Sequence, residues 1–237
     1  MPFRYLGVMK TGLRAKDRVE LILERIAASA ARSGRHSEDV QLLAVTKMRP
    51  IPSLQELYDL GLRQFGENRV AEAKEKQAVL PNDISWHMIG SLQSNKTSQC
   101  TGFTMVHSLD RLSVAAGLEK AWGLRSKVLD VLLEIKTSDE STKSGIETWY
   151  QACALIDAVA AMPHLRLKGL MTMAPFSPLE STVRPCFSAL RGWQTRLQSH
   201  FSAIDWGVLS MGMSNDFEWA IAEGSTLVRI GTALFQS

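Results

Sequence analysis

Short apolar runs alternate along most of the chain with longer stretches in which apolar residues recur at helical spacing. The runs that we interpret as β-strands are Val40–Thr46, Arg63–Gly66, Trp86–Gly90, Met105–Leu109, Val128–Ile135, Leu165–Met171, Trp206–Met211 and Thr226–Ile230. The stretches that we predict to be helical are Pro52–Leu60, Val70–Leu80, Asn95–Thr101, Leu112–Trp122, Thr148–Met162, Val183–His200 and Asp216–Glu223. Regular alternation of strand and helix is typical of parallel βα units.

Eight predicted strands favour an α/β fold of the closed (β/α)8 TIM-type barrel over an open doubly wound sheet. An open sheet that binds dinucleotides normally carries GxGxxG after its first strand, whereas Lys47 and Met48 follow the first strand here. Apolar positions at helical spacing between Lys16 and Arg32 predict an extra N-terminal helix that covers part of the barrel. Because no linker-like segment divides the chain, we expect residues 1–237 to form a single barrel domain.

Composition and charge exclude several classes of protein. Of the 237 residues, 45% are hydrophobic and 22% are charged, and the net charge of +3 favours neither a nucleic acid nor a membrane as partner. No apolar run approaches the roughly 20 residues needed to span a bilayer, and the N-terminus lacks the apolar core of a secretory signal. The three cysteines are odd in number, far apart and without a CxxC motif, which favours reduced thiols in a cytoplasmic protein over disulfides or a zinc site.

Candidate chemistry lies at the predicted C-terminal ends of the strands, where (β/α)8 barrels carry their active sites. Lys47 ends the first apolar run, and a lysine stripped of water at such a position has a lowered pKa and becomes a nucleophile. Ser214, Gly231 and Thr232 follow the last two strands, where hydroxyl and backbone N–H groups can hold a phosphate. An amine that attacks aldehydes and a phosphate site are what pyridoxal 5′-phosphate (PLP) requires. The structural alternative is that Lys47 extends into solvent.

Arg229 alternates with two apolar neighbours, so we expect it to point into the barrel mouth if they face the helices. A guanidinium cannot lose its proton, so it must meet an acceptor there. The acceptor could be a pyridine nitrogen or a structural carboxylate such as Asp216 or Glu67.

Three further positions leave alternatives open. His87 is either a cofactor neighbour or a buried histidine bonded to the backbone. Asn68 is either a cofactor neighbour or a turn residue with a left-handed backbone. Lys143 is a rival amine, which Asp139, Glu140 and solvent would keep protonated.

Several segments resemble the YggS/PROSC family of pyridoxal phosphate homeostasis proteins, which is similar to the N-terminal barrel of alanine racemase. The segments are LLAVTK (42–47), FGENRV (65–70), WHMIGSLQSNK (86–96), HSLDR (107–111), TKSG (142–145), LKGLMTM (167–173) and LSMGMSNDFEWAIAEGSTLVRIGTALF (209–235). The resemblance implies a PLP Schiff base on Lys47. It also implies a phosphate site of Ser214, Gly231 and Thr232 lined by Ser210 and Met213, with Arg229 at the pyridine nitrogen and Asn68 and His87 around the ring. Two positions depart from the family: Lys136 stands where Asn is frequent, and Gln236 where Gly is usual.

Three functions are compatible with the sequence. The first, which we favour, is a monomeric PLP-binding protein of intracellular PLP homeostasis with little catalytic turnover, for which PLP-dependent apo-enzymes are candidate partners. The second is a PLP-dependent amino-acid racemase-like enzyme, and the third is a metabolic barrel that binds another phosphate. A racemase of this type needs a second base, a tyrosine of a further domain, whereas Tyr5, Tyr58 and Tyr150 lie in the leading segment or on predicted outer helices. An arginine at the ring nitrogen also makes PLP a weaker electron sink.

Overall fold

A closed barrel of eight parallel strands forms the centre of the molecule. The computed structural model describes residues 13–138, 140 and 144–235. Within these ranges the strands are β1 Gln41–Val45, β2 Gln64–Glu67, β3 Ser85–Met88, β4 Met105–Leu109, β5 Leu129–Glu134, β6 Leu165–Met171, β7 Val208–Met213 and β8 Leu227–Ile230. Each strand pairs with the next, and β8 pairs with β1 to close the barrel, which confirms the predicted (β/α)8 fold.

Helices lie between most of the strands, before the first strand and after the last. They are α1 Ala15–Arg32, α2 Ile51–Asp59, α3 Val70–Gln77, α4 Leu112–Gly123, α5 Trp149–Ala160, α6 Glu180–His200, α7 Phe217–Ala222 and α8 Thr232–Phe235. The predicted extra N-terminal helix is α1, which packs against α7 and α8. No helix in the described ranges is long and apolar enough to cross a membrane.

The helix predicted over Asn95–Thr101 is wrong in type, because the chain forms a 3₁₀ helix over Ser94–Gln99. Short polar side chains in this segment compete for backbone partners. The Thr97 hydroxyl, for example, donates to the carbonyl oxygen of Ser94 at 2.8 Å. The single turns Ser37–Asp39 and α8 were not predicted, since a single turn is too short to show helical periodicity.

Alternation along the strands separates two environments. Side chains of one parity point into the barrel and those of the other pack under the helices. Strand register places Leu43 beside Arg229, and Gly66 beside His87, on the inner face. Continuing this alternation from Leu43 assigns Val45, the last residue of β1, to the inner side, and Lys47 follows two residues later at the C-terminal mouth.

Candidate functional site

Lys47 lies in a turn that follows β1 directly. Thr46, the residue before it, is fully buried, whereas Lys47 itself is exposed. The expectation of a lysine stripped of water is therefore wrong for this structure, because Lys47 lies two residues beyond the last residue of the strand. Met48, the next residue, has a left-handed backbone with φ of 58°, which few non-glycine residues adopt.

The turns after β7 and β8 meet at the hydroxyl of Ser214. Its Oγ accepts hydrogen bonds from the backbone N–H groups of Gly231 and Ala233, each at 3.3 Å. Gly231 also lies against β1, since a Cβ atom at this position would be 3.3 Å from Cβ of Val45. The small residues after β7 and β8 are thus held close to the strand that leads to Lys47.

Arg229 is buried inside the barrel, as the alternation along β8 predicts. Its guanidinium donates to the carbonyl oxygen of Ser210 at 2.6 Å, to the Ser210 hydroxyl at 2.7 Å and to the carbonyl oxygen of Thr172 at 2.8 Å. Of the two carboxylates considered as its partner, Glu67 hydrogen-bonds to Lys76 instead. Burial lowers the pKa of Arg229 to about 10, an effect that the charges of Asp216 and Glu134 oppose.

Two histidines continue this polar chain across the barrel. Nδ1 of His107 lies 3.0 Å from the Ser210 hydroxyl, and Nε2 of His107 lies 2.9 Å from Nδ1 of His87. Because Ser210 Oγ accepts from Arg229, its proton is available for Nδ1 of His107. His107 then carries its own proton on Nε2 and donates it to His87, so one arrangement of protons satisfies the whole chain.

Both histidines are neutral in this arrangement. Burial lowers the pKa of His87 to about 4, and it lowers the pKa of His107 well below its ordinary value, with the neighbouring His87 and Arg229 acting in the same direction. The barrel interior therefore concentrates its positive charge on Arg229. His87 is buried, as its structural alternative expected, but the partner of its Nδ1 is another imidazole and not a backbone group.

The remaining predicted residues lie at the same end of the barrel. The carbonyl oxygen of Asn68, just after β2, is so close to Gly90 that a Cβ there would be 2.4 Å from it. The backbone N–H of Met213 donates to Asp216 Oδ1 at 2.5 Å. Thr232 is exposed at the first position of α8.

Lys136 and Gln236 are the positions that depart from the family that the sequence resembles. Lys136, just after β5, forms an ion pair with Glu147 at 2.6 Å. Gln236 and the rival amine Lys143 lie outside the described residues.

The sequence did not predict that two groups of residues would come together at this site. His107 and Thr172 belong to the polar chain around Arg229. Glu67, Glu72 and Lys76 form a charged cluster next to the Lys47 turn. For His107, a polar residue within an apolar strand was the available signal.

Comparison with known proteins places these features in a family. The family described as "Alanine racemase, N-terminal domain" matches residues 21–237. The pyridoxal phosphate homeostasis protein of Aquifex aeolicus is 39% identical over 225 residues, which cover 94% of this chain and 98% of that protein. The protein of the same name from Escherichia coli K12 is 42% identical over 223 residues, which cover 90% and 92% of the two chains. The chain belongs to the family of pyridoxal phosphate homeostasis proteins.

Solved structures extend the comparison from sequence to fold. PipY of Synechococcus elongatus, solved with PLP bound, is 32% identical to the present chain. The TM-score is 0.83, and the alignment covers 94% of the present chain and all of PipY. An alanine racemase of Clostridium difficile is 13% identical, with a TM-score of 0.75, and the alignment covers 92% of this chain and 59% of the racemase. The second likeness shows a shared fold.

Proposed function

We propose that this chain binds PLP as a Schiff base on Lys47 and acts in intracellular PLP homeostasis, with little or no dedicated turnover. Membership of the pyridoxal phosphate homeostasis family supports the cofactor and the role. PLP supplies an aldehyde that condenses with a primary amine and a ring that can accept electrons. We further propose that residues 1–237 act as one PLP-binding domain, as a monomer in the cytoplasm.

One observation carries the residue assignments: the Gly231 turn packs against the strand that leads to Lys47. This contact brings the end of β1, two residues before the exposed Lys47, next to a turn rich in small residues, which supports the proposed site. Ser214 and the N–H groups of Gly231 and Thr232 would hold the phosphate, and Ser210 and Met213 would line that side. Charge-assisted hydrogen bonds of this kind contribute roughly 1.5–3 kcal/mol each.

Arg229 would meet the pyridine nitrogen, and its environment supports that role. Its hydrogen bonds to Ser210 and Thr172 hold the guanidinium inside the barrel, where a cation disfavours protonation of a neighbouring ring nitrogen. Neutral His87 and His107 behind it add no second positive charge. Asn68 and His87 would complete the surroundings of the ring.

The racemase-like alternative requires a second acid–base group opposite Lys47. Two tyrosines fall within the described residues, and neither is placed for this task. The Tyr58 hydroxyl donates to Asp83 at 2.8 Å, and Tyr150 is exposed on α5. Their positions support a PLP-binding protein without substantial racemisation.

Borohydride trapping tests the Schiff base. The protein incubated with PLP should absorb at about 420 nm, and reduction followed by peptide mapping should label Lys47. Lys47→Arg keeps the positive charge but offers no primary amine, so it should lose both signals. Labelling of Lys143 with none of Lys47 would contradict the assignment.

Deuterium exchange separates the proposal from the racemase alternative. Several L-amino acids are incubated in deuterated water with a high concentration of the PLP-loaded protein, and their α-proton signals are followed by NMR. We expect spectral changes on addition of amino acids but little loss of the α-proton signal. Sustained exchange at about 1 s⁻¹ or faster, which is within the usual range for enzymes, would favour the racemase-like enzyme.

A further inference from the structure

A buried charged cluster lies between the β1–β2 pair and helix α3, and it consists of Glu67, Glu72 and Lys76. Lys76 Nζ is 2.7 Å from Glu67 Oε1 and 2.6 Å from Glu72 Oε1. The Lys76 side chain is 5% exposed and the Glu67 side chain is fully buried. The third hydrogen bond of the ammonium group goes to the backbone carbonyl oxygen of Thr46 at 2.7 Å. All three donors of Lys76 are therefore used.

The cluster holds both peptide units that flank Lys47. The carbonyl of Thr46, which accepts from Lys76, belongs to the peptide bond before Lys47. The N–H of Met48, which donates to Glu72 Oε1 at 2.5 Å, belongs to the peptide bond after it. Because two peptide planes fix the direction of the Cα–Cβ bond between them, the cluster sets the direction in which the Lys47 side chain leaves the backbone.

Two further contacts fix the geometry of this turn. The Thr46 hydroxyl donates to Glu67 Oε1 at 2.6 Å, so the residue before Lys47 is held by its side chain as well as by its carbonyl. Met48, the residue after it, adopts a left-handed backbone at φ of 58°. A non-glycine residue keeps such a conformation only where its surroundings enforce it, and the Met48 N–H is bonded to Glu72 in a turn that the bond from the Arg49 N–H to the Thr46 carbonyl oxygen closes.

We propose that Glu67, Glu72 and Lys76 form a clamp that aims the amine of Lys47 into the barrel mouth, so that they act as positioning residues for Schiff-base formation. This inference rests on the proposed function of Lys47. A buried ion pair that served only to dock α3 on the sheet would need Glu67 and Lys76 alone. It would not require Lys76 to donate to the Thr46 carbonyl oxygen, or Glu72 to accept from the Met48 N–H.

The test compares covalent and non-covalent binding in the full-length chain. Lys76→Met and Glu72→Ala remove parts of the clamp, whereas Glu72→Gln keeps an acceptor for the Met48 N–H. Leu197→Ala, at a fully buried position of α6, is the control for general destabilisation. Schiff-base formation is followed by the rate of borohydride-trappable PLP on Lys47. Pyridoxine 5′-phosphate, which has no aldehyde, measures binding of the ring and phosphate alone.

We expect trapping to slow by about tenfold or more in Lys76→Met and Glu72→Ala, because a misaimed nucleophile loses rate steeply with displacement. Affinity for pyridoxine 5′-phosphate should stay within about twofold of the parent value, and Glu72→Gln should restore most of the rate. Leu197→Ala should trap PLP at the parental rate.

Three results would contradict the clamp, and they are distinct from failure of the proposed function. Parental trapping rates in a folded Lys76→Met or Glu72→Ala protein would overturn it, as would a parallel loss of affinity for pyridoxine 5′-phosphate or an equal slowing in Leu197→Ala. If Lys76→Met does not fold, Glu72→Ala decides, because the Glu72 side chain is partly exposed. Absence of label on Lys47 in the parent protein would overturn the proposed function itself, and the clamp with it.

Discussion

Replacing His87 by Asn tests the protonation state of the polar chain inside the barrel. Asn is a close mimic of the neutral ring, since its side-chain oxygen can take the place of Nδ1 and accept from Nε2 of His107. It cannot take up a proton in the acid range. The substitution therefore removes one titration while it keeps the hydrogen bond.

The sign and size of the effect follow from the pKa of His87, which burial lowers from 6.5 to about 4. The folded chain binds fewer protons than the unfolded chain between these values, so acid favours unfolding. The stabilisation is complete above pH 6.5 and is lost as the pH falls towards 4. The whole pKa shift corresponds to about 3 kcal/mol of the free energy of unfolding. About 2 kcal/mol of this stabilisation is lost by pH 5.

The assay is urea denaturation followed by tryptophan fluorescence at pH 7, 6 and 5. Between pH 7 and 5 the parent protein should lose about 2 kcal/mol more free energy of unfolding than His87→Asn. Burial raises the pKa values of Glu67 and Glu134, which act in the opposite direction, but both remain in the variant and cancel in the difference. His36→Asn removes an exposed imidazole as the control. Parallel pH profiles for the parent and His87→Asn would refute the assignment of a neutral, acid-sensitive pair.

Two further substitutions test the phosphate site and the barrel wall. Ser214→Ala should weaken retention of PLP about tenfold to a hundredfold and leave binding of pyridoxal nearly unchanged, because the hydroxyl that it removes is proposed to hydrogen-bond to the phosphate. Equal losses for the two ligands, measured by equilibrium dialysis, would mean that the phosphate is held elsewhere. Gly169→Ala should destabilise the fold by about 4 kcal/mol or more, since its Cβ would lie 1.9 Å from the Val208 carbonyl oxygen at a φ of 150°. Gly192→Ala, on the exposed face of α6 with no atom near the new Cβ, is the matched control and should be neutral or slightly stabilising in urea denaturation.

The alternation of apolar runs and helical patterns predicted the barrel well, because each strand buries one face inside the barrel and the other under the helices. The bounds of β4 and β6 agree with the apolar runs. The end of β2 does not, since the strand continues to Glu67, whose charge is matched by Lys76 from the following helix. Such a pairing depends on how α3 packs on the sheet, which no repeat along the sequence records.

The candidate site was predictable where one strand alone decides the geometry. The inward direction of Arg229 follows from alternation within β8. The partners of Arg229 do not follow in this way. Ser210 depends on the register of β7 against β8, which shifts between Ser210 and Met213, and Thr172 comes from the segment after β6. For the same reason the contact between His87 and His107 could not be inferred, although each lies in a strand that was correctly predicted.

The pairing of β1 with β8 has a consequence for the order of events during folding. Lys47 follows the first strand, whereas Ser214 and Gly231 follow the last two, so a chain that has not yet formed β7 and β8 has the amine without the turns proposed to hold the phosphate. Contacts between the two ends of a chain are among the slowest to form. A ligand bound by residues after β1 and residues after β7 and β8 stabilises only the closed barrel. Binding of that ligand therefore indicates that β8 has paired with β1. In a growing polypeptide, PLP uptake would therefore follow the emergence of the last strand from the ribosome.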